Sequence, residues 1–330
     1  MITAGGAVGE TPSRTTARMI RSLTRPRGHE GKWLRRRADL RSLIFVACTI
    51  ALTVQAFLRT PRWTVEIVLV PFACFLSFCC AVITHNSMHT RVFRQRWMNG
   101  VFQLLLSIGY GHPASAFEPG HNLSHHRYPQ SARDVSRTTR VGFRWNLLNV
   151  VLFYPLVLGS VVRSERRYLS WAWRHRRRWF WRYTREAAVV VAVSGALACS
   201  DWRMFVLYAA IPKLYAAWGI FAINFVQHDG CDAGSELDHS RNFVGRVLNW
   251  LAFNNGFHTV HHLAPAAHWS DLPAIHAKVV HPHIHPALEQ RSLLSWSWKK
   301  LVLGRERVGL DGRPVQPMLM VQDQDWMEGA

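Results

Sequence analysis

TVEIVLVPFACFLSFCCAVIT, residues 64–84, runs without interruption into HNSMH, residues 85–89. A helix gains about 1.5 Å per residue and the hydrocarbon core of a bilayer is about 30 Å thick, so this run is long enough to cross. Glu66 is its one charged residue. If the helix continues into HNSMH, His85 and His89 stand four residues apart on one face, just beyond the apolar stretch. The chain therefore carries a spanning helix that ends in two potential metal ligands.

Three further stretches have the same character: 42–58 (SLIFVACTIALTVQAFL), 186–200 (EAAVVVAVSGALACS) and 203–226 (RMFVLYAAIPKLYAAWGIFAINFV). The turns RTPRW and DW join the four into two helical hairpins. A fifth apolar stretch, 146–162, is expected to be interfacial or re-entrant. If it spanned, the arginine-rich block that follows would lie opposite Arg91, Arg94 and Arg96, against the positive-inside rule. The shorter 100–111 reads in the same way. The expected fold is all-α and integral to the membrane: four transmembrane helices in two hairpins, interfacial helices, and a histidine-rich cytoplasmic cap. Both termini and the histidine clusters then face the cytoplasm. Residues 1–41 read as a flexible basic cytoplasmic arm without a signal-type apolar region, 42–285 as the membrane domain, and 286–330 as a C-terminal cytoplasmic tail.

Composition agrees with a membrane protein. Of 330 residues 49% are hydrophobic, and Lys and Arg outnumber Asp and Glu by 40 to 20. The positive excess sits in blocks beside apolar segments, such as Arg35–Arg37 and the run from Arg174 to Arg185, as contacts to anionic lipid require. The 15 tryptophans, some interleaved with arginine as in RRRWFWRYTR, suit the headgroup level. No nucleic-acid recognition module is visible. The six cysteines form no CxxC pair, which argues against a disulfide framework and an iron–sulfur site.

Histidine is the informative residue. His121, His125 and His126 stand in HNLSHH, and His258, His261 and His262 in HTVHH; both motifs contain an i,i+4 pair and an adjacent third ring. His228 ends the last apolar run, with Asn224 one turn earlier on the same face. A single HxxxH arises easily by chance, but two triplets and a pair point to a shared metal site. Neutral imidazole is the commonest transition-metal ligand, and nine are too many for one structural zinc. Two metal ions sharing His85, His89, His121, His125, His126, His228, His258, His261 and His262 account for the number, and oxygen chemistry on unactivated hydrocarbon favours iron.

HNSMH at 85, GHNLSHHRY at 120, NFVQH at 224 and NNGFHTVHHLAPAAHWSDLP at 254 resemble the membrane fatty acid desaturase family, within the wider superfamily of histidine-box di-iron oxygenases. The resemblance extends over about residues 64–280. It implies four spans with a cytoplasmic cap, two non-haem iron ions held by the eight box histidines and His228, and O2 as co-substrate. It further implies a double bond introduced into a fatty acyl chain carried by a lipid, coenzyme A or an acyl carrier protein. The second box departs from the commoner pattern, being HxxxHH in place of HxxHH. No HPGG motif or flavin fingerprint is present, so electrons come from a separate ferredoxin, cytochrome or reductase.

Asn224, Asp134, Asn255 and His268 are candidates to support the ligands from behind, since metal-bound imidazoles need an acceptor for their other N–H. His276, His281, His283 and His285 lie beyond the third box in a proline-containing loop, where surface exposure is at least as good a reading as metal binding. Two rival functions remain. A hydroxylase or ketolase acting on a lipid or carotenoid would use the same cage. A non-catalytic scaffold or metal transporter belongs to another class, but transport needs ligating groups at mid-membrane depth, and the runs offer only Glu66 and Lys213.

Overall fold

The computed structural model describes residues 13–24, 31–304, 306–319 and 321–327. Helices dominate it; the regular strands among these residues are the parallel pair Asn242–Phe243 and Glu289–Gln290. Chain contacts divide it into two compact units, one comprising residues 1–25, 118–168 and 221–330, the other residues 26–117 and 169–220.

The second unit contains the helices Asp39–Phe57, Trp63–His89, Arg96–Tyr110 and Arg177–Ser200. The Trp63–His89 helix runs unbroken through the apolar stretch and into HNSMH, as the spacing predicts. Its inner face buries Leu76, Cys79, Cys80, Val82 and Ile83, while Ile67, Val68 and Phe72 stay exposed. Large aliphatic side chains turned outward on a helix of this length match hydrocarbon, not water, as the surrounding medium. Trp63 and Trp202 stand exposed at helix starts, where an interfacial belt needs them. The Arg96–Tyr110 helix packs tightly on its neighbour. Gly109 lies where an added Cβ would meet Cys80 Sγ at 2.8 Å, and its carbonyl accepts from Ser77 Oγ at 2.7 Å.

Glu66 and Lys213, charges that do not stand at the first position of their apolar runs, are both engaged. Glu66 occupies the first turn of its helix and binds Arg59 through two bonds of 2.6 and 2.7 Å, with Tyr208 donating a third. Lys213 donates to Ser194 Oγ at 3.2 Å. Neither forms part of a ligand ladder such as a metal transporter would require.

Among the described residues, four helices are long and apolar enough to cross a membrane: Asp39–Phe57, Trp63–His89, Asn146–His175 and Trp202–His228. This set differs from the expectation in its third member. Residues 146–162 are not a short separate segment but the start of a 30-residue helix; Pro155 is accommodated within it, and the break comes only at Arg176. Residues 186–200 are the end of a 24-residue helix whose first turns are the arginine-rich block, and those charges remove it from the apolar set.

Both terminal segments contain ordered contacts among the described residues. Within the arm expected to be flexible, Arg14–Leu23 is a helix; the Ser13 hydroxyl caps its Thr16 N–H, the Ser13 N–H donates to Glu236 Oε1 at 3.0 Å, and Ile20 is buried. The described residues of the C-terminal segment, up to residue 327, pack within the first unit. Trp326 is buried, stacks on Tyr168 and donates to Ser164 Oγ at 2.7 Å. Asp323 accepts from the buried Arg137 at 2.7 Å and from Arg140.

Candidate metal centre

The first unit gathers seven of the nine predicted histidines. His125, His228, His258 and His262 form one group, with their ligand atoms all within 4.8 Å of one another. The Nε2 atoms of His228 and His258 are 2.8 Å apart, those of His228 and His262 3.1 Å, and those of His258 and His262 3.2 Å. His121, His126 and His261 form a second group: Nε2 of His126 lies 2.9 Å from that of His121 and 2.9 Å from that of His261. The adjacent pairs His125/His126 and His261/His262 are each divided between the two groups. The remaining two, His85 and His89, lie side by side in the other unit, with ring centroids 5.4 Å apart.

Local helix type decides which ring goes where. His258–Leu263 is an ordinary α-turn, so His258 and His262, four apart, share a face and His261 points elsewhere. Glu118–His125 is π-helical, with the His126 N–H bonded to the His121 carbonyl at 2.9 Å. The wider turn places residues five apart on one face. His121 is therefore paired with His126, whereas the i,i+4 reading of HNLSHH pairs it with His125.

The loop NNGF that delivers the third box is tightly constrained. Phe253 and Asn254 take left-handed backbone angles, φ 50° and 59°; asparagine tolerates that region better than most residues. At Gly256 a Cβ would lie 2.2 Å from the Phe243 carbonyl oxygen, so only glycine permits the approach that lets its own carbonyl accept from the Phe243 N–H at 2.9 Å. Inside the box, Thr259 is pinned: its N–H donates to Asn242 Oδ1 at 3.0 Å, and its hydroxyl accepts from Asn242 Nδ2 at 2.8 Å.

The rings are also oriented from behind. The fully buried Asp134 meets His125 Nδ1 at 2.8 Å. Burial pushes the Asp134 carboxyl up, but the His125 ring, the Gln130 N–H and Ser136 outweigh it and bring it to about 2. Asp134 is thus an anion holding the proton of Nδ1 and turning Nε2 inward. His228 Nδ1 donates to the His239 carbonyl at 3.1 Å with the same effect. Asn224 Nδ2 donates to the Ser136 carbonyl at 3.4 Å, fixing the loop whose Ser136 Oγ lies 3.3 Å from His125 Nδ1. Asn255 contributes its backbone carbonyl, which accepts from Gln227 at 2.7 Å. His268 turns its Nδ1 to the Ser270 N–H and hydroxyl, where it caps the short turn Trp269–Asp271. Ser136, His239 and Asn242 carry no motif that marks them in the sequence; they are found only because the fold brings distant loops behind the boxes.

These groups fit a metal ion. Metal-bound imidazole nitrogens sit about 2.1 Å from the ion, which puts two ligands at a right angle about 3.0 Å apart, close to the Nε2 separations found here. His125 Nε2 is buried and has no hydrogen-bond partner among the described residues. Such an orphan costs about 1–3 kcal/mol unless something else satisfies it. Burial, together with His126, His258, His228 and His125, holds His262 well below the ordinary imidazole value, so its lone pair is free to bind a cation.

Helices long and apolar enough to cross a membrane, joined to clustered imidazoles that could hold metal, define a histidine-box membrane protein. The chain belongs to the fatty acid desaturase family, whose sequence model matches residues 61–291. It is similar to a fatty acid desaturase of Bacillus subtilis (strain 168), 23% identical over 235 residues, which cover 62% of this chain and 64% of that protein. The match thus spans somewhat less than two thirds of the curated relative's length.

Proposed function

We propose that this chain is an O2-dependent, non-haem di-iron oxidoreductase that introduces a double bond into a fatty acyl chain. The observation that carries the reading is the division of adjacent histidines, His125/His126 and His261/His262, between two imidazole groups, which is what two neighbouring metal ions require. His125, His228, His258 and His262 would hold one ion. His121, His126 and His261 would hold the other, with His85 and His89, on one face of the helix that ends at residue 89, completing the nine. Bound iron would supply the oxidising power toward an unactivated methylene, with O2 as oxidant. The protein's own part is to fix the ring directions: Asp134 and the His239 carbonyl keep Nδ1 protonated, so that Nε2 is the ligand atom.

The substrate is proposed to be a fatty acyl group on a lipid, coenzyme A or an acyl carrier protein, and the electrons to come from a separate ferredoxin, cytochrome or reductase. We place both termini and all histidine boxes on the cytoplasmic side. His125 and His228 share one group, so the chain between them crosses the membrane an even number of times. Pairing Arg177–Ser200 with Trp202–His228 as the crossing hairpin, with Asn146–His175 along the surface, keeps the arginines at 174–185 cytoplasmic.

The test is mass spectrometry of lipids and acyl metabolites from a host expressing the wild type or His262→Ala. The proposal expects a product two hydrogens lighter than its substrate, made by the wild type alone. A product that gains one oxygen would replace it with the hydroxylase reading, one that gains one oxygen and loses two hydrogens with the ketolase reading, and equal profiles would overturn the enzyme reading.

A further inference from the structure

A third cluster lies apart from the two groups above. His276, His281 and Glu289 turn their ligand atoms to within 4.8 Å of one another. His276 Nε2 is 2.8 Å from Glu289 Oε2, and His281 Nδ1 is 2.9 and 3.0 Å from the two carboxylate oxygens. We propose that these three side chains form a separate binding site for a single divalent cation of the zinc type.

Three features support it. The first is backbone geometry: His276–Val280 is a π-turn, closed by a bond from the His281 N–H to the His276 carbonyl at 2.8 Å. It puts two histidines five apart on one face, the device the second box uses for His121 and His126. The second is the donor set. Two imidazoles and one carboxylate, with a remaining position open to water, are a zinc arrangement, and ligands 2.0–2.1 Å from one ion lie about 3 Å apart, near the spacings found here. The third is exposure. The His276 side chain is 5% exposed and that of Glu289 22%, but that of His281 is 63% exposed, so an ion has both an anchored side and an entry path.

The location gives such an ion a role. It would tie the π-turn to the strand Glu289–Gln290, which pairs with Asn242–Phe243, and Asn242 is the side chain that pins Thr259 of the third box. On the other side, the His276 ring lies 5.1 Å from that of Phe257, the residue before His258. The cation would therefore brace the floor of the histidine box without entering it.

The experiment uses the full chain, purified in detergent with its iron, and exposes it to zinc buffered at fixed free concentrations. Zinc and iron are counted by elemental analysis, and melting is followed in parallel. The wild type is expected to take up one zinc per chain with its iron unchanged, and to melt higher as zinc rises. His281→Ala removes an exposed ligand and Glu289→Gln removes the charge. Each is expected to weaken zinc binding by roughly tenfold to a hundredfold, keep its iron and lose the zinc-dependent rise in melting. Absence of stoichiometric zinc from the wild type would overturn the proposal and mark the cluster as a hydrogen-bonded triad. So would variants that bind zinc as the wild type does, or zinc that enters only as iron leaves. Because zinc is counted separately from iron and product, a single zinc bound by the wild type and lost in both variants supports this site whether or not the chain holds two irons.

Discussion

The second and third histidine boxes feed the same two groups of imidazoles but use helices of different pitch. In His258–Leu263 an α-turn sends residues four apart to one group and the intervening His261 to the other. In Glu118–His125 a π-turn sends His121 and His126, five apart, to one group and His125 to the other. The extra residue of HxxxHH is absorbed by the wider turn, so both boxes present two rings to one group and one ring to the other. Spacing in a sequence therefore predicts partners only once the helix type is known.

The largest expected effect comes from changing the register of one box. An alanine inserted between Thr259 and Val260 moves His258 and His262 five apart in an α-turn and takes one ring out of the four-histidine group. Iron retention and product formation should both be lost, as elemental analysis and lipid mass spectrometry would show. Deleting Asn122 is the sharper half of the comparison. It sets His126 four positions after His121, a spacing that an ordinary α-turn brings to one face, so this variant should keep most of its iron. Equal loss of iron from the deletion and the insertion would break the account of the π-turn.

Weaker effects follow from the supporting groups. Asp134→Asn removes the anion that holds His125 Nδ1–H, and iron affinity should fall roughly tenfold to a hundredfold while the fold persists; metal-competition titration would measure this. Gly256→Ala forces a Cβ against the Phe243 carbonyl and should lower stability by about 1–3 kcal/mol, read from denaturant midpoints. The smallest effect lies at the C-terminal clamp. Burial raises the Asp323 carboxyl, but Arg140 and Arg137 overcome it and bring it to about 2, below its ordinary 3.8. A lowered carboxyl stabilises the fold above its ordinary value, and that contribution fades as pH falls through about 2. Fluorescence of the buried Trp326 should report release of the clamp in that window, and Asp323→Asn should release it at neutral pH.

Much of this was legible in the sequence. The span 64–84 with its HNSMH extension and the His258/His262 pair follow from spacing, because each depends on residues close along the chain; Asp134 was a candidate whose sequence fits a solvated loop position equally well, and only the fold sets it against His125. The pairing of His121 with His126 was hidden because α-periodicity was assumed where the chain widens to a π-turn. The length of the 146–175 helix was missed because charge, which ends an apolar run, does not end a helix. Glu289, Asn242 and the His239 carbonyl were invisible because each acts on a partner far away in sequence, and no local pattern records it.

The central claim is that imidazoles from distant segments divide into two sets, each holding one iron. X-ray absorption at the iron edge, combined with elemental analysis of the purified chain, tests it most directly. Two iron ions per chain in a shell dominated by nitrogen, with His262→Ala losing iron, is the result expected. A single ion per chain, a shell containing sulfur, or iron content unaltered in His262→Ala would contradict it.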